Sequence, residues 1–269
     1  MKTVVITGST RGIGFGLADA FLDLGCRVVV NGRSPSSVEQ ACQQLAAKRN
    51  SDHLHGFAAD VADLDQMEAL WATAVAHFGQ VDIWINNAGL GHDMLPMWQL
   101  PPERVKTIVD TNILGLMYGS RVAIRGMLAQ GYGQLYNMEG AGSNGHVRNG
   151  MSIYSTSKAA VHLLSQALIQ EVEGTAVQVG TLSPGMVVTD LLLDPLNTDP
   201  EIFTRSQRIF NILSDRVETV TPFLAQKILE NDQNGAKIQW LTRSKMIWRF
   251  LTSPFVKRNP LGDFSPGAG

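Results

Sequence analysis

The run Val4-Val5-Ile6-Thr7-Gly8-Ser9-Thr10-Arg11-Gly12-Ile13-Gly14 leaves this chain few architectures to choose from. It reads as an apolar strand, a glycine-rich turn and the start of a helix. The glycines that follow let backbone approach a pyrophosphate closely. The helix beginning near Gly12 then offers free amide donors and a positive dipole end. A tight turn that holds no ligand is the other reading of the same residues.

Apolar runs alternate with helical patterns along the rest of the chain, which predicts an α/β fold, a Rossmann-type doubly wound parallel sheet of about seven strands flanked by helices. Strands are expected near 2–7, 27–31, 54–59, 81–86, 133–138, 175–182 and 236–241, and helices over 12–24, 36–49, 63–77, 103–130 and 154–173. Residues 1–242 are read as one domain and 243–269 as a tail. Apolar residues at 44% and charged residues at 17% suit a well-buried soluble core. No stretch approaches the roughly eighteen uninterrupted apolar residues of a spanning helix. Because residue 3 already belongs to a strand, the form in hand is expected to be cytosolic, or already trimmed of a leader. Cys26 and Cys42 fit no metal spacing and read as reduced packing residues; no metal is expected.

Tyr154 and Lys158 carry the chemistry. Four positions apart on a helix they share one face, so an ammonium can sit beside a phenol, stabilise its phenolate and make it a proton donor. One packed ring and one solvated amine is the alternative. Further along the chain stand Asn86-Asn87-Ala88-Gly89, Asn112, and Ser183-Pro184-Gly185 with Thr189. In this order, with the Gly8, Gly12, Gly14 spacing, the motifs resemble the short-chain dehydrogenase/reductase family over roughly residues 1–240.

That resemblance implies a nicotinamide cofactor cradled by Gly8, Thr10, Arg11, Gly12, Ile13 and Gly14. The second strand ends in Asn31-Gly32-Arg33 with no acid to accept bonds from ribose hydroxyls. Arg33, alone or with Arg11, can clamp a 2′-phosphate, so NADPH is the expected cofactor; two solvated arginines are the alternative. Asp60 and Val61 close the third strand, where the family places the adenine, although Asp60 reads equally as a helix N-cap. Asn87, Ala88 and Gly89 either brace the sheet or contact ribose. Pro184, Gly185, Val187 and Thr189 are implied to hold the nicotinamide carboxamide, unless Thr189 simply caps a helix. Asn112 is implied to bend its helix and hold a water that links Lys158 to solvent.

Where the family carries a serine before the tyrosine, this chain reads Asn137-Met138-Glu139-Gly140-Ala141-Gly142-Ser143. Ser143 is the nearest hydroxyl that can stand in; it reads nearly as well as a plain loop serine. The departure, with Ser183 to Leu192, Phe210-Asn211-Ile212-Leu213 and Arg249-Phe250-Leu251-Thr252, resembles the chlorophyll b reductase branch. That branch implies NADPH-dependent reduction of the 7-formyl group of chlorophyll b to a hydroxymethyl. Alternatives are another bulky apolar carbonyl compound, such as a steroid, lipid or other tetrapyrrole, or a regulator that binds NADP(H) without turnover.

Residues 191–214, apolar and interrupted by Pro195 and Pro200, are expected to form a substrate lid. From 233 to 262 there are six bases and no acid, leaving 16 of the 22 basic residues against all 24 acidic ones elsewhere. With Trp248 and Phe250 interleaved, the tail is expected to touch a membrane surface, cover a ligand, or pack on its own or a neighbouring subunit. A homo-oligomer is expected and no nucleic-acid partner. The expected location is cytoplasmic, with or without membrane association, or a plastid if the chain comes from a plant.

Overall fold

Seven parallel strands form the sheet of the computed structural model, which describes residues 1–92, 94–147, 149–198 and 200–262. In chain order the strands and helices are β1 (Thr3–Ile6), α1 (Gly12–Asp23), β2 (Arg27–Gly32), α2 (Pro35–Ala46), β3 (Leu54–Ala58), α3 (Leu64–Phe78), β4 (Ile83–Asn86), α4 (Pro102–Val109), α5 (Gly115–Gln130), β5 (Gly133–Met138), α6 (Ser152–Glu171), β6 (Val177–Ser183), β7 (Met186–Val188), α7 (Asp190–Thr198), α8 (Pro200–Leu213), β8 (Ser214–Arg216), α9 (Val217–Glu230), β9 (Lys237–Gln239) and α10 (Arg243–Thr252). The sheet order is β3-β2-β1-β4-β5-β6-β9, and β7 pairs with β8 in a separate parallel ribbon.

Period-two alternation explains the two packed layers. Val4 and Ile6 of β1 join Leu17 and Phe21 of α1 and Leu224 and Ile228 of α9 on one face. Val5 points the other way, with Trp84 of β4, to Met67 and Leu70 of α3 and Met127 of α5. The order reverses between β1 and β4, whose register pairs Val4 with Ile83 and Ile6 with Ile85. Their carboxyl ends therefore open a crevice where such sheets bind ligands.

The expected strands and the first helices agree with the structure to within a few residues. The helix expected over 103–130 is interrupted: Asp110–Leu114 form one π-helical turn between α4 and α5, and Asn112 lies within it. Helix α9, with Pro222 in its interior, and the β7–β8 ribbon were not expected. Residue 199 of the expected lid and residues 263–269 of the expected tail lie outside the described residues.

The tail does not present its cations as one solvated face. Arg249 and Arg258 turn inward to Asp215, at 2.8 and 2.5 Å, and Trp240 donates its indole N–H to the same carboxylate at 2.7 Å. Arg249 also donates to the Leu213 carbonyl, and Arg258 to those of Ile212 and Ser214. Lys245 lies 3.0 Å over the Trp240 ring. The tail is thereby clamped to the end of α8 and to β8.

Candidate active site

The turn after β1 is tied to three neighbouring strands by buried side chains. Thr7 Oγ1 accepts from the amides of Asn87 and Ala88 at 3.0 and 3.1 Å, while Asn87 Nδ2 donates to the Thr7 and Gly8 carbonyls, both at 2.9 Å. Asn31 of β2 accepts from the Gly8 amide through Oδ1 and donates through Nδ2 to Phe57 and Ala59. The Asn87 side chain is thus a brace, which resolves one of the two readings of the Asn86–Gly89 stretch. Asn31 was missed as a site residue, because a lone asparagine ending a strand gives no signal of its long-range partners.

A cofactor fits this cradle. Gly8 has φ +61, and a Cβ there would stand 2.7 Å from Ala88 Cα; one at Gly14 would stand 2.4 Å from the Gly8 carbonyl oxygen. The turn is therefore folded on itself and against the end of β4 as closely as only glycine permits. Helix α1 begins after Arg11 with no side-chain cap and no acid in its first turn, which leaves its amides to an anion. Thr10 packs its methyl against Gly32, Ile13 joins the core beside Phe15, and Arg33 follows β2 exposed and, among the described residues, without an ion-pair partner. Arg11 is paired with Asp190 at 3.0 Å across the mouth of the site. Both are exposed, so the pair is worth at most about 1 kcal/mol and yields readily to a phosphate.

Asp60 is not the helix cap that its position suggests. Its carboxylate accepts from the Ala62 amide in a local turn, and Asp63 caps α3 instead, accepting from Gln66 N at 3.1 Å. The Val61 side chain is buried against Gly115 of α5. Gly185, with φ +78, follows Pro184 and turns the chain from β6 into β7, which carries Val187. Thr189 begins α7 through its carbonyl, which accepts from Leu192 and Leu193, while its methyl faces Gly12.

Tyr154 and Lys158 lie one turn apart on α6, buried against the end of β5. Lys158 Nζ is 5.8 Å from the Tyr154 ring centroid and donates to the Met138 carbonyl at 3.0 Å. The spacing predicts that the lysine lowers the tyrosine pKa; the structure reverses this. Burial disfavours the phenolate and pushes Tyr154 up to about 12. Burial likewise lowers Lys158 to about 8, opposed by the carboxylate of Glu139. Glu139 is itself buried and paired with His162 and Lys237, each at 3.0 Å.

Asn112 faces Lys158 from the π turn. Its amide clamps the Leu90 backbone, accepting at 2.8 Å and donating at 2.9 Å, and also donates to Ser157 Oγ at 3.0 Å. A small cavity with room for about one water lies between Asn112, Lys158, Thr7 and Ala88. Gly89 closes beside it, its missing Cβ 3.6 Å from Lys158 Nζ. His92, another residue the sequence did not flag, accepts from the Tyr154 amide at 3.3 Å and so steadies the start of α6.

Ser143 sits nearby, but its hydroxyl donates to the Lys158 carbonyl at 3.0 Å and accepts from the Gly140 amide at 3.1 Å. Its one proton is spent on the backbone, so as placed it braces the loop and has none to give a substrate. Gly140 faces the tyrosine directly: a Cβ there would stand 2.6 Å from Tyr154 Oη.

A family model described as short chain dehydrogenase matches residues 2–198. A probable chlorophyll(ide) b reductase of Arabidopsis thaliana, NYC1, is 33% identical over 268 residues, covering 94% of this chain and 53% of the relative. A chlorophyll(ide) b reductase of Oryza sativa subsp. japonica, NOL, is 37% identical over 258 residues, covering 93% and 74%. The chain thus spans about half the length of the first relative and three quarters of the second. Among solved structures, the closed form of a serine dehydrogenase complexed with NADP+ superposes with a TM-score of 0.76 at 26% identity, covering 88% of this chain and 94% of that one.

Proposed function

The chain belongs to the short-chain dehydrogenase family of oxidoreductases, and on that premise we propose that it is an NADPH-dependent reductase of a bulky apolar aldehyde, with the 7-formyl group of chlorophyll(ide) b as the substrate. The observation that carries this reading is the bare Gly140 beside the Tyr154 hydroxyl, in a chain 33–37% identical to proteins named for that reaction. With no side chain at residue 140, the Tyr154 hydroxyl occupies that place itself and meets a carbonyl attached to a large ring with nothing from residue 140 between them.

Bound NADPH supplies the hydride, and that chemistry is the cofactor's own. The remaining work falls to the chain. Tyr154, held protonated by burial, gives its proton to the carbonyl oxygen as charge develops there. The Lys158 ammonium, released from the Met138 carbonyl, stabilises the phenolate that is left behind. A water in the small cavity beside Asn112 returns the proton from solvent. Ser143 acts by bracing the loop that carries Gly140, not by polarising the substrate. Helices α7 and α8 serve as the lid over the substrate, and Arg33 meets the 2′-phosphate.

The test is to mix protein, chlorophyll b in detergent and either NADPH or NADH, and to follow the pigment spectrum. Conversion with NADPH is expected. Arg33→Ala should raise the Kd for NADPH about tenfold, the loss of one charge-assisted contact, and leave NADH unaffected. Equal affinities of the wild type for the two cofactors would remove the case for NADPH. No conversion of chlorophyll b or of any carbonyl in a broad panel, with NADPH still bound, would favour a regulator without turnover.

The same geometry predicts the outcome of restoring a serine. Gly140→Ser places a Cβ 2.6 Å from the Tyr154 hydroxyl, closer than real atoms approach, so kcat should fall and not rise. An increase in kcat with a small aldehyde would show that the tyrosine yields to the new side chain, and that the close approach is no constraint.

A further inference from the structure

Helix α10 is turned inside out. Its second arginine, Arg249, is buried in the ion cluster with Asp215, whereas Ile247 and Trp248 are each 62% exposed and Leu251 is 70% exposed. One turn beyond, Phe255 continues the stripe at 88% exposed, fixed by its amide donating to the Thr252 carbonyl at 2.9 Å. An amphipathic helix free to roll buries its apolar face. This one is prevented from rolling because Arg249 and Arg258 hold its other side to Asp215, so the stripe faces outward on a fixed frame.

We propose that this face docks on the surface of an anionic lipid bilayer. Charge selects that occupant. The exposed Arg243 and Lys257 flank the stripe at its two ends, and from 233 to 262 there is no acid to offset them. Elsewhere the chain is acidic, so the positive charge is local to this face. A second copy of the same face would bring cation against cation, whereas anionic headgroups satisfy both ends while the tryptophan and phenylalanine enter the headgroup layer. Among the described residues no helix is long and apolar enough to cross a membrane, so the contact is one of surface docking.

The topology places the contact usefully. Helix α10 follows the carboxyl end of β9, the edge of the sheet at which β1 and β4 open their crevice, and it packs on α8. Docking through α10 sets the mouth of the site beside the lipid. The inference stands whatever carbonyl compound is reduced.

Sedimentation with vesicles of phosphatidylcholine, alone or mixed with phosphatidylglycerol, tests it. The full chain is expected to bind the mixed vesicles and to be released as salt screens the charges. Arg243→Gln with Lys257→Gln should weaken that binding about 25-fold, two cations at about fivefold each. Trp248→Glu with Leu251→Glu should abolish it, with the melting temperature of both variants unchanged because all four side chains are exposed. Failure of the wild type to sediment with the mixed vesicles overturns the proposal, as does equal binding to phosphatidylcholine alone. A wild-type dimer that Trp248→Glu with Leu251→Glu splits to monomer, with vesicles ignored, makes a second copy the occupant and overturns it too.

Discussion

Tyr154→Phe should lower kcat about 1,000-fold with the NADPH dissociation constant unchanged, since the ring still packs where it did and only the transferable proton is gone. The phenol is buried near the start of α6, its amide is held by His92, and the two neighbouring donors are engaged with backbone: the Ser143 hydroxyl with the Lys158 carbonyl and the Lys158 ammonium with the Met138 carbonyl. The pH profile distinguishes this acid from its neighbour. Burial keeps Tyr154 protonated up to about 12, so it does not limit the rate at ordinary alkaline pH. Lys158, lowered to about 8, loses its charge as pH rises through that value, and the alkaline fall in activity should appear there. Glu139→Gln removes the carboxylate that opposes the shift and should move the fall to lower pH. A Tyr154→Phe variant that kept its rate would remove the assigned acid; an alkaline limb unmoved by Glu139→Gln would detach it from Lys158.

The sheet was legible because its signals are local. Val4-Val5-Ile6 reads as an apolar strand, and the glycines after it read as a phosphate turn, without knowledge of any partner. Tyr154 and Lys158 share a face by helical spacing alone. What failed to read depends on distant residues. The β7–β8 ribbon joins two three-residue strands across the whole of α7 and α8, and α9 holds Pro222, a residue that argues against a helix. Asp60 reads as a cap by position, but the Gln66 amide that a cap must accept from donates to Asp63 instead. The direction of the Tyr154 shift was misjudged for a related reason: spacing reports how near a cation stands, while the depth of burial, which decides the sign here, is a property of the closed fold. The inward turn of Arg249 escaped notice because Asp215 lies 34 residues away in sequence.

Asp215→Ala should cost about 3 to 5 kcal/mol, because it strands Arg249 as an unpaired buried charge. For a chain of this size that is a fall in melting temperature of roughly 10 °C. Asp215 and Arg249 are each about 5% exposed, so water cannot replace the lost partner, and the Trp240 indole loses its acceptor as well. The damage should extend to substrate binding. Arg249 and Arg258 hold the carbonyls of Leu213, Ile212 and Ser214, and without Asp215 to fix their guanidinium groups the end of α8 is released with the tail. KM should therefore rise while the NADPH dissociation constant, set by the turn after β1, stays as it was. Replacing the pair together, Asp215→Leu with Arg249→Met, removes the stranded charge and should recover part of the stability, which a simple loss of side-chain packing would not do. A single Asp215→Ala variant that melts within about 2 °C of the wild type would mean less than about 1 kcal/mol is at stake, and that the cluster does not hold the tail in place.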